Sequence, residues 1–152
     1  MEALPQSNPS LTEPAMLVGA WTMALSNASF LPSPTDIVSG SATFTWIENG
    51  ALLALYQSTK PSGTPDARWI ISRDEDGADF TVLYFDARGV SRVYGMRFAD
   101  RTWSMWRDTA EFSQRFTATV SDDWNTISGR WEKRVGSGSW EHDFDLTFQR
   151  TA

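Results

Sequence analysis

From Gly19 to the end of the chain, apolar and polar residues alternate with a period of two, stretch after stretch. Trp21, Met23 and Leu25 alternate with Thr22, Ala24 and Ser26. Val38, Ala42, Phe44 and Trp46 alternate with Ser39, Ser41, Thr43 and Thr45, and Asn49-Gly50 then turns the chain into Ala51–Ser58. Successive side chains of a strand point to opposite faces, so this pattern is that of strands with one buried face. The same rhythm places Trp69 with Ile71, Phe80 with Val82 and Tyr84, and Trp103 with Met105. Phe112, Gln114, Phe116, Ala118 and Val120 form the next face, and Ile127, Gly129 and Trp131 the one after it. Trp140, His142, Phe144, Leu146 and Phe148 read as the last inward face, with Asp143 and Asp145 outward.

Short polar turns separate these runs at roughly 8–14-residue spacing, which gives about ten strands. No stretch is long enough for a helical crossover, so parallel pairing is excluded and the strands form an antiparallel meander. A long amphipathic meander closes on itself because closure removes both exposed edges. The expected fold is therefore all-β: an up-and-down antiparallel barrel of about ten strands, its last strand paired with its first. The prolines lie between Pro5 and Pro65. Residues 1–15 read as a flexible leader and a short helical turn, with Ser10 as its cap and the turn running to Met16. Residues 16–152 form the barrel domain.

Composition narrows the function classes. The 152 residues carry 41% hydrophobic and 21% charged side chains, enough for a packed core. Eight Trp, nine Phe and three Tyr make 13% of the chain, and such rings either fill a core or line a pocket for a flat apolar ligand. The net charge of −6 argues against nucleic acid and against anionic membrane as partners. There is no Cys, which rules out disulfides, thiolate metal sites and a Cys nucleophile. The first basic residue is Lys60, so Met1–Pro14 lacks the charged start of a secretory signal, and a cytoplasmic location is expected.

Gly19-Ala20-Trp21 resembles the Gly-X-Trp signature that opens the first strand of lipocalin-like (calycin) barrels. The resemblance implies that Trp21 plugs the closed end and that a basic residue of the last strand, here Arg150, stacks over it. A guanidinium over an indole is a favourable cation–π pair. Residues 84–90 (Tyr-Phe-Asp-Ala-Arg-Gly-Val), 127–132 and 140–148 resemble a bacterial lipocalin-like family with no assigned reaction. Nitrobindin-type haem barrels are more distantly similar. They open with Gly-X-Trp-X-Gly-X-Gly and ligate haem through a His near the C-terminus. Here Met23 and Leu25 stand where those later glycines would be.

The candidate chemistry follows from the inward faces. His142 is the sole histidine, and its alternation places it inside, as a buried polar group, a haem ligand or a proton relay. Arg92 shares a face with Tyr94 and Met96. If that face is internal, Arg92 needs a partner or an anionic ligand group such as a carboxylate; if external, it is solvated. Gln114, with Tyr84 and Tyr94, suits either an internal hydrogen-bond network or the polar end of a ligand. The acidic residues at 74–76 and 122–123 are turn formers, with no calcium ladder. No nucleophile elbow or phosphate loop is present.

The leading expectation is a binding protein for a small hydrophobic or aromatic molecule, contacted by Trp46, Trp69, Tyr84, Arg92, Tyr94, Met105, Gln114, Trp131 and His142. No cofactor is required for this. The alternatives are an enzyme that uses the cavity to template a cyclisation or isomerisation, and a haem barrel with His142 as axial ligand. Trp106 and Trp124, off the core face, are candidates for a surface contact.

Overall fold

The structure, a computed structural model, describes residues 8–33, 35–59 and 66–151. Ten strands follow one another: β1 (Gly19–Ser26), β2 (Val38–Ile47), β3 (Leu52–Thr59), β4 (Ala67–Arg73), β5 (Phe80–Asp86), β6 (Ser91–Ala99), β7 (Thr102–Arg107), β8 (Phe112–Val120), β9 (Thr126–Val135) and β10 (Glu141–Arg150). Each pairs antiparallel with its sequence neighbours, and β1 pairs with β10 to close the barrel, Trp21 opposite Arg150 and Leu25 opposite Leu146. The alternation of the sequence is the alternation of the wall. Trp21, Met23, Leu25, Phe80, Val82, Tyr94, Met96, Phe116, Ala118 and Phe148 are all buried, while Thr22, Leu83, Val93, Arg97, Thr117 and Thr147 between them are exposed.

One end of the barrel is plugged. Two 3-10 turns, Pro9–Leu11 and Pro14–Leu17, precede β1 and bury Leu11 and Leu17 completely. The helical turn expected from Ser10 to Met16 is thus split in two by Pro14, and the cap is Asn8, whose side chain accepts from the Ser10 amide. The rest of the expected leader, residues 1–7, lies outside the described residues. Trp21 donates its indole N–H to the Leu17 carbonyl at 2.9 Å. The Arg150 guanidinium lies 4.2 Å from the Trp21 ring centroid. It also donates to the carbonyls of Trp124 (3.0 Å), Val18 (2.8 Å) and Met16 (2.8 Å). A single side chain therefore ties the last strand to the segment entering the first.

Two glycines are required by close approach. A Cβ at Gly40 would run into the backbone carbonyl of Ser58 on β3, and one at Gly95 into the Trp106 ring. Trp106 lies over Gly95 on the outer face, with Arg97 above it, which explains its place off the core. Trp124 is stacked on Phe98 at the closed end and is partly buried.

The sequence pattern fails at one place. Between His142 and Phe144, β10 carries one residue more than β9: His142 lies opposite Glu132 and Phe144 opposite Trp131. This β-bulge reverses the parity of everything before it. His142 consequently faces outward, where its Nε2 lies 2.8 Å from Asp145. Asp143, expected outward, is buried. Trp140 also leaves the inward face and sits between the guanidiniums of Arg115 and Arg134.

Candidate functional site

The closed end of the barrel is filled, and a cavity of about 350 Å³ occupies the rest of the lumen. That volume lies at the lower end of the ~300–1,000 Å³ range of small-molecule sites. The open end is the one at which β1, β3, β5, β7 and β9 finish. Among the strands that rise to it, β4 contributes Trp69, β5 Tyr84, β6 Arg92 and Tyr94, β7 Met105, β8 Gln114 and β9 Trp131. Seven of the nine residues expected from the sequence thus meet in one cavity.

The other two do not reach it. Trp46 has the inward parity of Phe44, but β2 runs toward the closed end, and Trp46 packs there against the core opposite Leu53. His142 lies on the outer side of the wall because of the bulge. Since it is the sole histidine, the cavity offers no imidazole to a haem iron, and the residues present do not fit the alternative of a haem barrel ligated by His142.

Aromatic rings make most of the wall. Trp69 and Trp131 stand on strands five places apart in a ring of ten, and their rings stack across the lumen at 6.0 Å. Tyr84 lies edge-on to Trp69 and to Tyr94, and Tyr94 is tilted against Trp69. Trp131 also touches Tyr94, Phe116 and Phe144. Phe30, from the loop after β1, closes over the edge of Phe144 at 5.6 Å. That loop is pinned to the bulge: the Ser29 amide donates to the Asp143 carbonyl at 2.8 Å, and the Ser29 hydroxyl to the Asp143 carboxylate at 3.0 Å.

Polar groups are few and sit toward the open end. The Gln57 amide oxygen accepts the Trp69 indole N–H at 2.7 Å. The Tyr94 hydroxyl donates to Gln114 Oε1 at 2.6 Å, and the same oxygen takes a longer bond from Arg92 Nη1 at 3.4 Å. The Arg92 guanidinium lies 5.5 Å from the centroid of the Tyr84 ring. Tyr84 donates to Asp86 at 2.6 Å, and Arg88 pairs with the same carboxylate at 2.7 Å. The bond from Arg88, joined by the one from Tyr84, holds Asp86 well below the usual carboxylate range. Burial, then the Asp86 contact, pushes the Tyr84 hydroxyl far above its ordinary value, and burial raises Tyr94 against the opposing pull of Arg92. Both phenols therefore remain protonated donors at neutral pH.

Several lining groups were not singled out from the sequence. Gln57 follows Leu53 and Leu55 at the same parity, so the alternation would have found it. Asp143 lines the cavity only because of the bulge, and Phe30 comes from a loop without period. Arg107 is not one of the lining side chains, but it shares the parity of Trp103 and Met105 and lies opposite Gln114, which is.

No protein-family model matches the chain, and no curated protein matches it. Among solved structures, the crystal structure of Rv2717c from M. tuberculosis superposes with a TM-score of 0.72. The match covers 97% of this chain and 100% of that one at 10% sequence identity. At that identity, the likeness shows a shared barrel fold.

Proposed function

We propose that the protein binds a small hydrophobic or aromatic molecule inside the barrel. The observation that carries this reading is the cavity of about 350 Å³, walled by Trp69, Tyr84, Tyr94 and Trp131 and provided with a few polar groups at its open end. Recognition is then mainly burial of apolar surface, at roughly 25 cal/mol per Å², with the polar groups fixing orientation. A fully packed core would serve the fold equally well, so a lumen that keeps this much space near its mouth favours a ligand over a purely structural role. The lipocalin-like resemblance of Gly19-Ala20-Trp21 and Arg150 points the same way, toward barrels that hold small molecules.

Titration with a panel of lipophilic and aromatic compounds tests the reading. Trp69 and Trp131 stand in the wall, so a bound ring is expected to quench tryptophan fluorescence and to raise the unfolding temperature. Absence of both effects across the whole panel would overturn it.

A further inference from the structure

Two arginines, Arg92 in the cavity wall and Arg107 opposite Gln114, have no carboxylate partner among the described residues. Arg88 is paired with Asp86, and Lys133 lies 3.7 Å from Asp143. Arg92 lines the cavity, where it makes a 3.4 Å contact to Gln114, faces the Tyr84 ring and lies close enough to Tyr94 to act on its hydroxyl. Arg107, one strand further round, carries a buried Nη1 with no hydrogen-bond partner among the described residues. Its charge is felt at Tyr94, whose hydroxyl both arginines act to acidify. The undescribed stretch 60–65 (Lys-Pro-Ser-Gly-Thr-Pro) contains no acid, so it supplies no carboxylate to either arginine.

Leaving guanidinium N–H groups without acceptors beside an apolar cavity is costly, and a negatively charged group relieves that cost. The neighbouring amide is arranged to help. Gln114 Oε1 faces Tyr94 and Arg92, both donors, so its Nε2 is left without a partner among the described residues. The chain as a whole carries a net charge of −6, so two arginines without a carboxylate partner among the described residues are a local feature and not a general basic surface.

We propose that the ligand is an amphipathic carboxylate, its apolar body against Trp69 and Trp131 and its carboxylate held at the open end by Arg92 and the Gln114 amide, with Arg107 behind Gln114 adding positive charge. A planar carboxylate matches the planar fork of a guanidinium. This rests on the cavity reading above and adds the chemical class of the ligand.

The test compares matched probes at neutral pH: decanoate against decan-1-ol, and 1-naphthoate against 1-naphthalenecarboxamide, each titrated by fluorescence and calorimetry. The acids are expected to bind roughly ten- to hundredfold tighter than their neutral partners, as charge-assisted hydrogen bonds would give. Arg92→Met should abolish the preference and Arg107→Met should reduce it, with circular dichroism and a cooperative melt reporting that each variant folds. Should Arg92→Met fail to fold, the wild-type comparison and its weakening by salt decide. Neutral probes that bind as tightly as the acids would overturn the carboxylate site and leave the cavity reading intact. Binding by no probe would overturn both.

Discussion

Arg150 is the residue whose removal should reveal most about how the barrel is closed. It stacks on Trp21 and donates to three carbonyls, two of them partly buried. A hydrogen bond from a charged group contributes about 1.5–3 kcal/mol, so the two partly buried ones give ~3 kcal/mol at the low end. The cation–π contact adds ~0.5–1 kcal/mol at a part-exposed site. Against this stands the side-chain freedom that Arg150 regains when unfolded, up to ~2 kcal/mol. Its burial also opposes its charge, which lowers its pKa. Arg150→Met should therefore destabilise the fold by about 2–3 kcal/mol, which in a domain of this size lowers the melting temperature by roughly 4–12 °C. Urea unfolding followed by tryptophan fluorescence measures it, with an unchanged slope showing that the folded state is intact. Arg150→Lys keeps the charge but not the fork that reaches three carbonyls, so it should recover less than half of the loss. A loss below ~0.5 kcal/mol for the Met variant, the range of an ordinary surface substitution, would refute the view that this side chain joins the two ends of the chain.

Gly40→Ala would drive a methyl into the Ser58 carbonyl, a backbone atom that cannot swing aside, and should cost about 1–3 kcal/mol in thermal unfolding; an unchanged melting temperature would contradict the tight β2–β3 approach. Asp86 ionises more readily when folded than the ~3.9 of a free aspartate, so its pairing stabilises the protein above that pH and is lost as pH falls through the lower folded value. The stability gap between wild type and Asp86→Asn should accordingly narrow below about pH 4, and a gap that stays constant in acid would be inconsistent with the pairing of Asp86 to Arg88 and Tyr84. His142→Ala should change ligand affinity by less than about twofold, as for a surface substitution; a tenfold loss by calorimetry would place the imidazole in the cavity wall.

Strand order, closure and the filled end were legible because each rests on local alternation plus one long-range pair, Trp21 with Arg150. Most of the site was legible for the same reason: Trp69, Tyr84, Tyr94, Met105, Gln114 and Trp131 lie on unbroken runs whose parity carries through to the cavity. What failed was parity across an interruption. One extra residue at the β10 bulge exchanged His142 for Asp143, and no composition signal in Glu141-His142-Asp143-Phe144 marks it. Arg92 illustrates a different gap. Its parity was ambiguous because Val90 and Val93 disagree, and only its pairing with Tyr84 on β5 sets it inward. Trp46 had the correct parity and the wrong height, which alternation does not encode.

The high aromatic content fitted either a solid core or a lined cavity, and the barrel uses both along its axis. Toward the closed end Trp21, Phe44 and Trp103 pack edge to face, with Trp103 at the floor of the cavity. Across the lumen Trp131 touches Trp69, Tyr94, Phe116 and Phe144 at once. Each such ring pair contributes about 0.5–1.5 kcal/mol beyond the area it buries, so moving Trp131 to admit a larger guest would forfeit several kcal/mol. A ligand must therefore fit the existing space and not reshape it. Its one direction of extension is toward the open end, past Arg92 and Gln114, and that makes the polar end of the guest the part that meets these residues.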